Sequence, residues 1–142
     1  MRKKILLLLF SILPFGTNSF AQYHKDILGE NFVQQTIQMP DDYEGKVIIT
    51  IVRKEAALPT TKAILYVHGF NDYFFQKSLA EHFNDAGFNF YAVDLRKYGR
   101  SMLSNQYPFQ VHNLNEYFAD IDTTLQIIKQ EGNHEILLMG HS

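Results

Sequence analysis

Short apolar runs alternate with amphipathic segments along most of this 142-residue chain, and this alternation constrains its fold more than any other feature. Residues 62–67 end in A-I-L-Y-V, an almost continuous apolar run that is typical of a strand buried on both faces. Residues 88–93 and 136–139 are similar runs. Strands that alternate with helices form a parallel sheet with right-handed crossovers and helices on both faces. The sequence therefore predicts an α/β fold with a doubly wound, mostly parallel sheet.

Two amphipathic segments separate these runs and are predicted to be helices. In residues 73–86 and again in residues 115–131, apolar side chains recur on one helical face. Asn71 or Asp72 is predicted to cap the start of the first helix, and Gly87 to end it. The apolar faces consist of Phe75, Leu79, Phe83 and Ala86 in the first helix and Phe118, Ile121, Leu125 and Ile128 in the second.

Two further strands precede this alternation. Residues 32–39 alternate loosely between apolar and polar, and residues 47–52 are V-I-I-T-I-V, rich in the β-branched residues that favour strands. Residues 40–45, P-D-D-Y-E-G, read as a turn between them. The sequence therefore predicts an N-terminal antiparallel hairpin, followed by a loop at residues 56–61.

The first 21 residues have the pattern of a secretory signal peptide. A basic start at residues 2–4 precedes a short apolar stretch at residues 5–13, and small residues Ser19 and Ala21 stand three and one before a cleavage point. A membrane anchor is the alternative, but the apolar stretch is too short to span about 30 Å of hydrocarbon. We therefore expect cleavage after Ala21 and an exported protein (periplasmic or secreted), with one small domain, or part of a larger one, in residues 22–142.

Composition excludes several classes of function. The chain has no cysteine, so it cannot carry a disulfide, a lipid-modified cysteine or a zinc site made of thiolates. Loss of residues 1–21 would leave 10 basic and 15 acidic residues, a net charge of −5. This charge and the absence of a basic cluster disfavour nucleic-acid binding and electrostatic docking on a membrane. We expect no nucleic-acid partner and no stable membrane anchor after cleavage.

Three polar motifs follow the three predicted parallel strands. His68-Gly69-Phe70-Asn71-Asp72 follows the first strand. Residues 94–101, D-L-R-K-Y-G-R-S, follow the second, and Gly140-His141-Ser142 follows the third. The chemistry of open α/β sheets gathers at the carboxyl ends of the strands. The motifs are therefore expected to lie together at one edge of the sheet.

The order strand–HGF, helix, strand–DxRxxGRS, helix, strand–GHS resembles the α/β-hydrolase family. Within it, the chain is most similar to the lysophospholipase-like and monoacylglycerol-lipase-like branch, also called serine aminopeptidase S33. The resemblance runs from about residue 34 to Ser142 and covers the N-terminal part of such a domain. It implies an α/β-hydrolase fold truncated at the nucleophile elbow, whose full motif G-x-S-x-G places its second glycine at residue 144.

The resemblance implies roles for several residues. Ser142 would be the nucleophile that forms an acyl-enzyme, although a serine after a strand is also an ordinary polar residue. Gly140 has no side chain, which would allow the strand and the following helix to pack closely at the elbow. Gly69 would let the backbone approach the substrate, and the N–H groups of Phe70 and of residue 143 would form the oxyanion hole. The acid and histidine of the triad would lie beyond residue 142, because the family order is Ser, acid, His.

Other residues near these motifs are expected to be structural. His68 would be held by hydrogen bonds, and His141 would pack beneath the serine. Asp94 and Arg96 are predicted to hold nearby loops in place. One way to do so would be an ion pair between the two side chains. The residue in the place of Lys97 is usually glycine in the family, so the backbone of this loop is expected to differ locally.

No cofactor and no metal are predicted. A metal site built from His68, His141 and Asp94 is the alternative, because all three lie at strand ends, but no pair has the spacing of metal ligands on a helix. The remaining histidines are read as residues of the surface or of helix flanks: His24, His82, His112 and His134.

Three functions remain open. The first is an exported serine hydrolase that cleaves a carboxylic ester, such as a lipid or acylglycerol. The second is a peptidase or amidase of the aminopeptidase type on the same fold. The third is a non-catalytic binding or remnant protein, for which residues 136–139 would be an exposed apolar edge and the fragment alone poorly soluble and inactive. Phe70, Tyr73, Phe74 and Tyr98 are predicted to line an aromatic cleft, with burial of Phe74 in the helix core as the alternative.

Overall fold

The computed structural model describes residues 22–142, and the predicted signal peptide lies outside the described residues. The strands in this part of the chain are β1 His24–Lys25, β2 Val33–Asp42, β3 Gly45–Lys54, β4 Lys62–Val67, β5 Asn89–Asp94 and β6 Glu135–Gly140. The helices are α1 Lys77–Asp85 and α2 Glu116–Gln130, with a short 3₁₀ helix at Gly99–Ser101.

The strands form one mixed sheet in the order β1-β2-β3-β5-β4-β6. β4 lies between β5 and β6 and is parallel to both, whereas β1, β2, β3 and β5 pair antiparallel in succession. The prediction of an N-terminal antiparallel hairpin joined to a parallel sheet is confirmed. Within residues 22–142 the parallel part comprises three strands, and the carboxyl ends of these three strands lie side by side.

The hairpin β2–β3 is longer and its turn tighter than the sequence indicates. Asp42 pairs with Gly45, so that Tyr43 and Glu44 alone form the turn. Gly45 has φ +96°, a conformation that L side chains rarely adopt, and the Asp42 carboxylate accepts a hydrogen bond from the Glu44 N–H at 2.7 Å. A register shift after Met39 adds twist just before this turn.

The two helices cover opposite faces of the sheet, as predicted. Ile128 of α2 is fully buried in a cluster with residues of β3, β4 and β5, and Ile121 and Leu125 pack against the same cluster. Ala80 of α1 belongs to a second cluster on the other face, which includes the buried Phe74. Burying a side chain of the size of Ile128 stabilises a fold by about 1.5–3 kcal/mol.

Helix α1 begins four residues later than predicted, and neither Asn71 nor Asp72 caps it. The residue before the helix is Gln76, which makes no capping hydrogen bond through its side chain. Tertiary contacts use the backbone of Phe74 instead: its N–H donates to Asp94 Oδ1 at 2.9 Å and its carbonyl accepts from Arg100 Nη1 at 2.9 Å. Because the backbone groups of Phe74 are bonded to these side chains, they are not available for helical hydrogen bonds, and α1 begins at Lys77.

The ends of both helices and the face of α2 follow from local chemistry. Gly87 has φ +82° just after α1 and ends that helix as predicted, and Gly132 has φ +88° just after α2 and ends the second helix in the same way. The buried side of α2 is rotated from the predicted stripe, because its fully buried residues include the polar Asp120 and Thr124. Phe118, predicted to be on the core face, is 60% exposed.

Strand β6 is an edge strand in the described part of the chain. It pairs with β4 alone, and Leu137 and Leu138 are 50% and 55% exposed. Within residues 22–142 these side chains form an exposed apolar edge. No helix in residues 22–142 is both long enough and apolar enough to cross a membrane.

Candidate active site

The three strand-end motifs lie together at one edge of the sheet. β5 ends at Asp94, β4 is followed by His68, and β6 is followed by His141 and Ser142. The His141 N–H donates to the Val67 carbonyl at 3.0 Å, so the backbone of the serine motif stays paired with the end of β4. Parallel alignment of neighbouring strands thus brings residues far apart in sequence to one place.

Gly69 is in close contact with the serine motif. A Cβ atom at Gly69 would lie 2.9 Å from the His141 carbonyl oxygen and 3.0 Å from the Ser142 carbonyl carbon. Both neighbours are backbone atoms, so they cannot rotate out of the way. The distance between the His-Gly loop and the serine motif therefore requires glycine at this position.

If this cleft is the active site in a form of the protein extended beyond residue 142, we predict that Gly69→Ala lowers kcat/KM for a p-nitrophenyl ester by about 100-fold, because separating the two loops by a fraction of an ångström misplaces the reacting groups. Steady-state kinetics with a p-nitrophenyl ester measures this change. The thermal midpoint serves as the control and is expected to fall by only a few degrees. Unchanged kinetics would show that the close approach of the two loops has no role in the reaction.

A cleft of about 510 Å³ opens beside the serine motif. Ser142, His141, His68, Gly69 and Phe70 line one side of it. The other lining residues are apolar or aromatic: Val67, Leu95, Tyr98, Phe109, Val111, Leu114, Tyr117, Phe118 and Ile121. A largely apolar cleft with a few polar groups at one end is the usual form of a small-molecule site.

The aromatic residues predicted to line this cleft divide into three groups. Phe70 and Tyr98 line it, as predicted. Phe74 is fully buried in the core, so the alternative reading was the right one, and Tyr73 lies in a separate depression with Gly99. The loop before α2 also contributes residues to the cleft, and these were not predicted because the loop carries no catalytic motif.

Phe70 is placed at the mouth of the cleft. Its side chain is 78% exposed and its ring lies 5.5 Å from the ring of Phe109, edge to face. Within residues 22–142 its backbone N–H donates no hydrogen bond to the protein. An oxyanion donor must be a free N–H at the site of reaction, and Phe70 lines the same cleft as Ser142. This role of Phe70 remains a prediction.

His68 is buried and both its ring nitrogens are bonded. Nε2 accepts a hydrogen bond from the Leu95 N–H at 3.0 Å, and Nδ1 lies 2.8 Å from the Gly69 carbonyl oxygen. Since Nε2 is the acceptor, Nδ1 carries the proton and donates it to Gly69. His68 therefore links the ends of β4 and β5 and fixes the loop that contains Gly69.

Asp94 does not form an ion pair with Arg96, contrary to the arrangement considered from the sequence. Its carboxylate lies 2.9 Å from Arg100 Nη1 and also accepts the N–H of Arg100 at 3.0 Å. A turn at residues 95–98 follows β5, with the Tyr98 N–H bonded to the Leu95 carbonyl. This turn directs the side chain of Arg96 away from Asp94.

Arg96 instead binds helix α2. Its guanidinium lies 2.7 Å from Asp120 Oδ1 and 3.5 Å from Glu116 Oε2, and its N–H donates to Asp120 Oδ2 at 3.1 Å. Burial lowers the pKa of Arg96, but the bonds to Asp120 outweigh it, so the pKa lies above its ordinary value. Arg96 therefore stays charged and fixes α2, whose residues line the cleft.

Arg100 joins two buried carboxylates. Besides Asp94, it binds Asp26 through two bonds, Nε to Oδ2 at 2.7 Å and Nη2 to Oδ1 at 2.9 Å. Burial lowers the pKa of Arg100, but the hydrogen bond that it donates to Asp26 and the charge of Asp94 outweigh burial and raise the pKa above its ordinary value, so the guanidinium remains charged. This cluster connects the start of the described chain to the loops beside the site.

Two expectations for the serine motif are not met within the described residues. The ring of His141 does not pack beneath the serine; its side chain is 58% exposed, with Nδ1 3.6 Å from Asp72 Oδ2. A Cβ atom at Gly140 would meet no atom within 4 Å. No described residue covers the outer side of β6, which explains both observations.

The alternative metal site is not assembled in the described residues. Within 22–142 no group of three or more histidine, cysteine or acidic side chains is arranged to hold a metal ion. Asp94 binds Arg100 and both His68 nitrogens are bonded within the protein. The remaining four histidines are exposed, as expected: His24, His82, His112 and His134.

Residues 59–142 match the family model described as serine aminopeptidase, S33. No curated protein has a sequence that matches this chain significantly. The sequence match contains all three strand-end motifs, and it ends at Ser142.

Solved structures share the fold of this chain. A thermostable carboxyl esterase from Bacillus coagulans has a TM-score of 0.62 and 19% identity over 76% of this chain and 36% of its own. A monoglyceride lipase from Saccharomyces cerevisiae has a TM-score of 0.56 and 20% identity over 78% of this chain and 34% of its own. Acetyl xylan esterase 1 from Thermoanaerobacterium has a TM-score of 0.59 and 13% identity over 85% of this chain and 44% of its own. The chain thus spans about a third of the length of the first two.

Proposed function

The chain belongs to the serine aminopeptidase S33 family of α/β-hydrolases, and from this premise we propose that the protein is a serine hydrolase that cleaves carboxylic esters with an apolar group. The observation that carries the proposal is the cleft, in which Ser142 and the free N–H of Phe70 adjoin a wall of aliphatic and aromatic side chains. The structural relatives named as esterases and as a monoglyceride lipase support an ester as the substrate.

In the proposed reaction, the Ser142 hydroxyl attacks the ester carbonyl carbon. A histidine beyond residue 142 accepts the hydroxyl proton and passes it to the leaving alcohol, and an acidic residue orients this histidine. The N–H groups of Phe70 and residue 143 stabilise the oxyanion. Water then attacks the acyl carbon while the histidine takes a proton from it. The bond between the acyl carbon and Ser142 Oγ breaks, the histidine returns the proton to Oγ, and the carboxylic acid leaves. The reaction needs no cofactor.

A peptidase of the aminopeptidase type is the second candidate, and the description of the matching family favours it. Attack on an amide uses the same serine and oxyanion donors. In the described residues, however, no unpaired acidic side chain lines the cleft to bind a free amino terminus. The ester reading is therefore preferred for this cleft.

A comparison of p-nitrophenyl esters with aminoacyl p-nitroanilides tests the proposal on a form of the protein extended beyond residue 142. We expect kcat/KM for p-nitrophenyl butyrate to exceed that for leucine p-nitroanilide by at least about 1000-fold, because the cleft offers no group that pairs with an ammonium ion. A preference for the anilide would establish the peptidase instead. Absence of both activities would favour the third reading, a non-catalytic binding protein.

We also propose that the protein is exported. The support is the basic, apolar and small-residue pattern of residues 1–21, which lies outside the described residues. Mass spectrometry of the protein from its host's exported fraction is expected to find a new amino terminus at Gln22. A terminus at Met1 in the cytoplasmic fraction would contradict export.

A further inference from the structure

One wall of the cleft is a loop that has no regular secondary structure. This wall loop, residues 102–115, connects the 3₁₀ helix to α2 and contributes Phe109, Val111 and Leu114 to the cleft. The ring of Phe109 also packs on Tyr98 at 4.7 Å and on Phe70 at 5.5 Å. The width of the cleft therefore depends on what holds the wall loop in place.

The wall loop is held by the hairpin tip, which we define as residues 42–46 at the turn between β2 and β3. The Tyr43 hydroxyl donates to the Gln110 carbonyl at 3.0 Å. The Tyr107 N–H donates to Glu44 Oε1 at 3.1 Å. Gln106 Nε2 donates to the Lys46 carbonyl at 2.9 Å. The ring of His112 stacks on the ring of Tyr43, with their centres 3.6 Å apart.

Lys97 joins the hairpin tip to the wall loop. Its side chain is fully buried, with Nζ 2.8 Å from Asp42 Oδ2, in ion-pair contact with Glu44 and 4.3 Å from the ring centre of Tyr43. Its carbonyl accepts the N–H of Phe109 at 3.2 Å. The side chain thus binds the hairpin tip while the backbone binds the residue that lines the cleft.

The backbone at Lys97 explains why one residue can make both contacts. Its φ is +64°, the left-handed conformation that glycine adopts most readily. The local backbone therefore keeps the shape suited to the glycine usual in the family, while the lysine adds a buried cation. Left-handed residues other than glycine cost stability and persist only where surrounding contacts hold them.

We propose that Lys97 is a positioning residue that anchors the wall loop to the hairpin tip and thereby sets the selectivity of the cleft for long apolar substrate groups. This proposal rests on the proposed ester hydrolysis. A short ester occupies only the space next to Ser142, so its binding does not depend on the position of the wall loop. A long acyl group lies along Phe109 and Val111, so its binding depends on the position of the loop.

The charge of Lys97 is maintained by its partners. Burial lowers the pKa of Lys97, but the contacts with Asp42 and Glu44 outweigh burial and raise it above its ordinary value. The same contact with Lys97 lowers the pKa of Glu44. Lys97 is therefore a cation at neutral pH, and replacing it by an apolar residue leaves both carboxylates without their counter-ion.

The test compares Lys97→Met and Tyr43→Phe with the control Tyr107→Phe, in the extended protein. Tyr43→Phe removes one bond to the wall loop and retains the ring, so it keeps the test open if Lys97→Met fails to fold. Tyr107 is 70% exposed and its hydroxyl makes no hydrogen bond within residues 22–142. For p-nitrophenyl decanoate we expect KM to rise about tenfold in Lys97→Met and about threefold in Tyr43→Phe, with kcat changed by less than about twofold. For p-nitrophenyl acetate we expect kcat and KM of both variants to stay within about twofold of the parent values. The control Tyr107→Phe is expected to have the kinetics of the parent protein with both esters.

A readout independent of catalysis separates this proposal from the proposed function. Hydrogen exchange at the Phe109 amide is expected to rise about tenfold in Lys97→Met, since its acceptor is no longer held. If the parent protein hydrolyses no ester but exchange rises, the ester function is wrong and the anchor stands. If exchange is unchanged, or if acetate and decanoate kinetics change equally, the positioning role of Lys97 is overturned.

Discussion

Ser142→Ala is expected to lower kcat for ester hydrolysis by at least about 10,000-fold while leaving KM within about threefold, because a nucleophile contributes to the transition state and little to substrate binding. The cleft that we propose to bind the apolar group does not depend on the serine hydroxyl. The residual rate would come from the oxyanion donors and from substrate binding alone. The effect is the largest we expect for any single substitution in residues 22–142.

Steady-state kinetics with p-nitrophenyl butyrate, on a form of the protein extended beyond residue 142, measures this loss. Ser78→Ala is the matched control, because Ser78 is an exposed serine on α1 and lines no part of the cleft. We expect the control to retain the parent kinetics. A Ser142→Ala protein that keeps more than a tenth of the parent kcat would exclude Ser142 as the nucleophile.

Arg100→Met is expected to destabilise the protein by about 3–5 kcal/mol, because it leaves two buried carboxylates without their shared cation. The side chains of Asp26 and Asp94 are both fully buried, and Arg100 binds each within 2.9 Å. The substitution also removes the hydrogen bond from Arg100 Nη1 to the Phe74 carbonyl. The segment before β2 and the start of α1 therefore lose their common support.

Urea unfolding monitored by circular dichroism measures this change in the free energy of unfolding. Lys77→Met is the matched control: Lys77 forms an ion pair with Glu30 at 3.1 Å, but both side chains are substantially exposed. Exposed pairs contribute about 0–1 kcal/mol. Equal effects of the two substitutions would show that burial of the Arg100 cluster adds nothing to its contribution.

The strands of the parallel part were predictable because each is a short apolar run with clear boundaries. Residues 62–67 form β4 as predicted, since the side chains from Ala63 to Tyr66 are buried, Val67 is half-buried and no charged residue interrupts the run. Gly87 was equally informative, because glycine is the residue that most often adopts the left-handed conformation just after a helix. The start of α1 was not predictable, since it depends on bonds from Phe74 to Asp94 and Arg100.

The polar framework of the site was only partly predictable. The motif after β5 identified Asp94 and Arg96 as structural, but their partners are remote in sequence: Asp120 is 24 residues from Arg96, and Asp26 is 74 residues from Arg100. The periodicity of apolar residues indicates which face of a helix or strand is buried. It does not indicate which distant charged side chain a given residue will contact. The same limit applies to Lys97, whose partners lie at the tip of the hairpin.

The wall of the cleft was missed for a related reason. The wall loop has no periodic pattern, and its apolar residues become meaningful only when the loop is held against the sheet edge. Phe118 was predicted to be in the core because of its helical spacing, but its side chain is exposed and lines the cleft. A side chain that lines a cleft satisfies the same sequence pattern as one that is buried.

The most direct test of the account is the site of labelling by a fluorophosphonate probe on the extended protein. Such probes react with serines that an adjacent base activates. Peptide mapping by mass spectrometry is expected to find one adduct per chain, on the peptide that contains Ser142, and no adduct in Ser142→Ala. An adduct on another residue, or no adduct on a folded protein, would contradict the assignment of Ser142 as the nucleophile of a serine hydrolase.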